Sequence, residues 1–119
     1  MIDRILVLED DHEAREAITE YLGLFGWELI SAGNPRNALH MAERSRPDLA
    51  ICDWELGESE TGIDVARQLQ SRFGTQIILV SGRSTRALER ASSDIDVVCY
   101  LSKPYSLDTL RQAIRDANP

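Results

Sequence analysis

Residues 75–82 read TQIILVSG, four consecutive apolar side chains from Ile77 to Val80, closed by a Ser-Gly pair. A strand with one wetted face alternates apolar and polar residues, whereas an unbroken apolar run fits a strand covered on both faces. Strands of that kind belong to parallel sheets whose crossovers lay helices over each side.

Working outward, the flanking segments keep the rhythm such a sheet needs. On the amino side, Thr61 and Asp64 read as a capping box heading a helix with Ile63, Ala66, Leu69 and Phe73 on one face. PDLAICD (47–53) precedes it as a strand, and before that Asn34 caps a helix whose first residue is Pro35. WELISAG is a further short strand. HEAREAITEYLGLFG places Ala14, Ala17, Ile18, Tyr21, Leu22 and Phe25 at three- and four-residue steps, with Gly26 set to stop the helix. Arg4–Leu8 opens the chain as a buried strand. On the carboxyl side a weaker helix, Thr85–Ala91, leads to the strand DVVCYL. Ser106 then caps a last helix with Leu107, Leu110, Ala113 and Ile114 inward. Five strands, each followed by a helix, predict an α/β fold: a parallel sheet with helices on both faces. The absence of linkers or repeats predicts one domain over residues 1–119.

The composition, 43% hydrophobic and 28% charged, is that of a soluble globular chain. No apolar run approaches the roughly 20 residues that span a bilayer, and the start does not resemble a signal peptide, so a cytoplasmic protein is expected. A net charge of −7 argues against direct grip on nucleic acid. Cys52 and Cys99 lie in apolar runs and are expected to remain free thiols.

Parallel strands bring every carboxyl end to one edge, where ligands of such sheets bind. The first strand ends in Glu9-Asp10-Asp11, the third in Asp53 and the fourth in Ser81-Gly82, and the fifth runs into Ser102-Lys103-Pro104. Neighbouring carboxylates at the end of a buried strand repel unless something positive is held among them. Oxygen ligands favour a hard divalent cation, and Mg²⁺ usually takes one or two carboxylates with phosphate oxygens. Without Cys or His at this rim, apart from His12 just past the acids, zinc is not expected. A carboxylate beside Mg²⁺, a hydroxyl and a lysine makes a site for phosphoryl transfer, with Asp53 as nucleophile.

The segments ILVLEDD, DLAICDWELGESETG, IILVSG and YLSKPYSLDTL together resemble, in order and spacing, the receiver domain of bacterial response regulators of two-component systems, over essentially the whole chain. The resemblance implies a flavodoxin-like sheet with strand order 2-1-3-4-5. It makes Asp53 the phosphoacceptor, Ser81 the switch hydroxyl, and Lys103 the lysine before a proline that is usually cis. The Mg²⁺ (or Mn²⁺) ligands it implies are Asp10, Asp53 and the backbone carbonyl of Glu55, with Glu9 acting through water. Tyr100 matches the aromatic whose rotamer reports phosphorylation. Glu55 and Arg83 flank the reaction centre and are expected to tune hydrolysis, as a lid pair or through the phosphoryl oxygens. The chain departs from many receivers after the acceptor: Leu56-Gly57 replaces an apolar residue and proline, and Gly62 comes one residue later.

The implied partners are a sensor histidine kinase or histidine phosphotransfer protein and a downstream target. The target would meet the surface of the fourth helix, fifth strand and fifth helix, where Arg83, Arg86 and Arg90 lie. A phosphorylation-dependent homodimer is a further implied mode. The chain is expected to be a switch that assists its own phosphorylation and dephosphorylation rather than a turnover enzyme. The initiating Met and missing output domain suggest a stand-alone regulator. The alternatives are a phosphorylation-independent binding module of receiver shape and, less favoured, a Mg²⁺-dependent phosphatase with an aspartyl nucleophile. A flavin carrier is disfavoured because acids, not a Gly/Ser/Thr phosphate loop, follow the first strand. Asp11 is assigned to the helix start, and His12 and His40 to the surface. Trp54 is expected to cover the site or pack against the core.

Overall fold

A computed structural model of the chain describes residues 1–54, 62–82 and 85–118. Each apolar run becomes a strand: β1 (Arg4–Leu8), β2 (Glu28–Ala32), β3 (Leu49–Asp53), β4 (Gln76–Ser81) and β5 (Val97–Ser102). Between and after them run α1 (His12–Gly23), α2 (Pro35–Ser45), α3 (Gly62–Phe73), α4 (Thr85–Ala91) and α5 (Leu107–Ala117). All neighbouring strands pair in parallel, in the order β2-β1-β3-β4-β5 anticipated from the resemblance.

The alternation of side chains along each strand divides the core into two layers. Leu6, Leu8, Ala50, Cys52, Ile77 and Leu79 pack with Ala38 and Ala42 of α2, Ile63 to Leu69 of α3 and Leu88 of α4. Ile5, Val7, Leu49, Ile51, Ile78 and Val80 pack with Ile18 and Leu22 of α1 and Leu110 and Ile114 of α5. β3 is buried along its whole length and β4 except at its first residue, which accounts for the unbroken apolar runs. The register between β4 and β5 shifts once: Ile77 meets Val97 but Ile78 meets Cys99, leaving Val98 as an extra, 43% exposed residue.

The caps at Asn34 and Ser106 form as expected, each side chain accepting from the backbone N–H three residues on. The box read at Thr61 lies outside the described residues. α1 ends earlier than expected, at Gly23, and the chain tightens through Leu24, Phe25 and Gly26, each N–H donating to the carbonyl three residues back. Gly26, at φ +91°, makes the turn out of this segment. Two expectations for α1 are corrected as a result. Phe25 falls beyond the helix and is exposed, its ring covered on one side by the Arg111 guanidinium at 4.2 Å. Ala17 is exposed and Ala14 half-buried, so the fully buried stripe narrows to Ile18 and Leu22, with Tyr21 half-buried against the same core as expected.

Candidate functional site

Strand alternation also aims the functional side chains. Glu9 continues the row Ile5-Val7, Asp53 the row Leu49-Ile51, and Lys103 the row Cys99-Leu101, all on the face covered by α1 and α5. Ladder bonds carry the geometry past the formal strand ends: Glu9 N–H donates to Ala32 O at 3.1 Å, and Lys103 N–H to Ser81 O at 2.9 Å. The carboxylates of Glu9, Asp10 and Asp53 each offer an oxygen, all within 4.8 Å of one another. Lys103 Nζ donates to Asp53 Oδ2 at 2.7 Å. The Lys103–Pro104 peptide is cis.

Asp53 is 4% exposed and Glu9 9%, while Asp10 stands in solvent. Burial, then contact with the Asp53 carboxyl and its charge, pushes the Glu9 carboxyl up to about 8, against the opposing pull of Lys103. Glu9 Oε2 is buried and has no hydrogen-bond partner. An orphaned buried carboxylate oxygen, converging with two further acids of oxygen-only donor type, fits a hard divalent cation such as Mg²⁺.

Two close approaches hold the acids from behind. Gly62, the first residue of α3, sits so near β3 that a Cβ there would lie 1.9 Å from Asp53 O. Trp54 N–H donates to Val80 O at 2.9 Å and the indole packs into the layer under α2–α4, so core packing is its observed role. On the other side Arg15 Nη1 donates to Glu9 O at 2.7 Å. Tyr105 lines an open groove of about 570 Å³ beside Glu9, Lys103, Ala14 and Ile18; burial and then the Glu9 charge hold its phenol above the ordinary range.

Ser81 is buried at the end of β4, one strand over from Asp53 and paired with Ser102. Tyr100 lies on the opposite face from Lys103, its ring against the layer under α2–α4 and its hydroxyl 3.0 Å from Ser92 Oγ. The structure thus gathers Glu9, Asp10, Asp53 and Lys103, keeps Ser81 at the same edge, and holds Tyr100 apart on the other face. Glu55 and Arg83 lie outside the described residues. Asp11 occupies the N-cap position of α1 without a side-chain cap bond, and His12 is exposed beside Glu16. Cys52 and Cys99 are free. Two residues at the site, Arg15 and Tyr105, are not singled out by the sequence. Arg15 reaches a main-chain carbonyl, which leaves no pattern in a sequence, and Tyr105 lines a groove that forms once α1 has packed beside it.

A family model described as the response regulator receiver domain matches residues 5–115. The chain belongs to this family. As a receiver of two-component signalling, it is 33% identical over 112 residues to the transcriptional regulatory protein PdtaR of Mycobacterium tuberculosis, covering 93% of this chain and 54% of that protein. Sporulation initiation phosphotransferase F of Bacillus subtilis is 22% identical over 120 residues, covering 100% of this chain and 96% of that protein. The solved structure of response regulator TrrA from Thermotoga maritima, in complex with Mg²⁺-BeF, superposes with a TM-score of 0.81 at 28% identity, over 97% of this chain and 98% of that one. The receiver spans about half the length of curated relatives such as PdtaR. No helix among its described residues is long and apolar enough to cross a membrane.

Proposed function

We propose that this receiver takes a phosphoryl group onto Asp53 from a phosphohistidine of a sensor histidine kinase or histidine phosphotransfer protein. The observation that carries the reading is the junction of Glu9, Asp10, Asp53 and Lys103: three carboxylates within 4.8 Å and an ammonium 2.7 Å from Asp53 Oδ2. An Asp53 carboxylate oxygen attacks phosphorus, the P–N bond breaks, and its electron pair stays on the imidazole. Lys103 exchanges its carboxylate partner for a phosphoryl oxygen, neutralising charge that grows as the group is transferred. Asp10, Asp53 and the Glu55 carbonyl, with Glu9 through water, are the residues that would hold Mg²⁺, which supplies charge neutralisation to the phosphoryl oxygens. The phosphotransferase name of the Bacillus subtilis relative and the Mg²⁺-BeF complex of the Thermotoga maritima protein agree with this chemistry.

The same residues make the receiver a switch that assists its own phosphorylation and dephosphorylation. Ser81 then turns toward the phosphoryl group, Tyr100 moves with it, and the surface of α4, β5 and α5 changes what it binds, a target or a second copy of the receiver. Arg83 and Glu55 govern the lifetime of the aspartyl phosphate, which Arg83→Ala would shorten. The test is a mass measurement after incubation with a small phosphodonor and Mg²⁺. One added phosphoryl group is expected, and none in Asp53→Ala or without the metal. An unchanged mass under every condition would transfer the protein to the phosphorylation-independent binding class.

A further inference from the structure

Glu9 and Asp10 are joined by one peptide group, and the structure shows what fixes its plane. The preceding Glu9 N–H is tied to Ala32 O of β2 at 3.1 Å. The Glu9 carbonyl, part of the peptide linking the two acids, accepts from Arg15 Nη1 at 2.7 Å. The same guanidinium reaches His12 Nδ1 with Nη2 at 3.1 Å, and Arg15 N–H closes the first turn of α1 on Asp11 O at 2.9 Å. The Nη1 that donates to Glu9 O also lies over Gly33, where an added Cβ would come within 2.8 Å of it. The space a side chain would take at position 33 is filled by the arginine.

We infer that Arg15 is a positioning residue for the acidic pair: its guanidinium, seated on Gly33, locks the Glu9–Asp10 peptide so that both carboxylates converge with Asp53. The inference rests on the reading of this site as a divalent-cation and phosphoryl-transfer centre, and it is not a statement about charge. A guanidinium close to three carboxylates opposes an incoming cation, so by electrostatics alone its removal tightens Mg²⁺ binding. As a lock on geometry, its removal weakens binding. The two roles differ in sign.

The experiment uses the full chain and four variants, Arg15→Met, Arg15→Lys, Gly33→Ala and the Arg15→Met/Gly33→Ala double variant. Mg²⁺ affinity is read from tryptophan emission, since Trp54 adjoins Asp53, and metal-free melting confirms that each variant is folded. Arg15→Met is expected to weaken Mg²⁺ binding about tenfold, the effect typical of residues that orient metal ligands. Arg15→Lys, which keeps the charge but loses the planar fork, also weakens it. Gly33→Ala weakens binding by displacing the guanidinium and adds nothing once Arg15 is gone. In metal-free protein the Asp10 amide, the N–H of the locked peptide, becomes more mobile by ¹⁵N relaxation in Arg15→Met and in Gly33→Ala. Unchanged or tighter Mg²⁺ binding in Arg15→Met overturns the inference, as does an equal effect of Gly33→Ala in both backgrounds. If the wild-type chain binds no Mg²⁺, the functional reading falls instead. Mobility of the Asp10 amide then judges the lock alone, an increase in the variants sustaining it and no change overturning it.

Discussion

The two faces of the sheet each carry a core of buried apolar side chains and end differently. On the α1/α5 face the rows close in Glu9, Asp53 and Lys103, so charge sits at the tip of an apolar layer. On the α2–α4 face the rows close in the buried Ser81 hydroxyl and in Tyr100, whose hydroxyl lies 3.0 Å from Ser92 Oγ. On the proposed reading one face does the chemistry and the other responds, and the pleat of the strands keeps the two sets of side chains apart. The α2–α4 face is also unevenly held. α3 presses against Asp53 at Gly62, whereas α4 has Leu88 as its buried residue among the described side chains.

The hardest way to break this division is at the close approach of α3. Gly62→Ala forces a Cβ into the Asp53 carbonyl, a backbone atom that cannot step aside, and is expected to cost about 3 kcal/mol. Urea melts would measure it, and a change within error would mean the two elements separate freely. Next is Leu88→Ala, expected to cost about 2–3 kcal/mol if the cavity partly collapses. Hydrogen exchange should rise through α4 and leave β4 slow; a uniform rise across the sheet would deny α4 its independence.

A smaller effect separates the charged tip from the neutral one. The Glu9 carboxyl titrates near 8 in the fold against 4.5 in an open chain, so between those values the folded form holds a proton the unfolded form has lost. Stability of the metal-free protein therefore falls as pH rises through this window, and Mg²⁺ restores it at the alkaline end. Melting temperatures taken across the window, with chelator and with millimolar Mg²⁺, would check this. Glu9→Gln should flatten the slope and raise the metal-free melting temperature at the alkaline end. Smallest is Ser92→Ala, which removes the hydroxyl that bonds Leu88 O at 2.7 Å and faces Tyr100 OH at 3.0 Å. A loss of about 1 kcal/mol is expected, together with greater mobility of the Tyr100 ring by NMR; an unmoved ring would show that packing alone holds it inward.

Much of this was legible in the residues. The run Ile77–Val80 demanded a doubly covered strand, Asn34-Pro35 and Ser106 marked helix starts, and acids after apolar runs marked the working edge. The order of strands was not readable from composition or periodicity; it came with the resemblance. What escaped was whatever depends on packing between elements. Phe25 had the spacing of a core residue, but the chain tightens after Gly23 and turns it outward. The raised carboxyl of Glu9 required knowing how deep it lies. Gly62 stood out for its offset from Asp53, while its physical reason, the carbonyl behind it, belongs to the folded state.

The register shift in β5 decides which way the side chains at its far end face. Val98 is an extra residue, and because the ladder absorbs it at the strand's start, Cys99 to Ser102 face Ile78 to Ser81 one to one. Had the surplus been passed along the strand instead, every later side chain would have turned over. The Lys103 ammonium would then point away from Asp53, and the Tyr100 ring would sit where Leu101 now packs. The faces of Cys99 to Lys103 are thus set by their pairing with β4, because the register is regained before the first side chain whose direction matters.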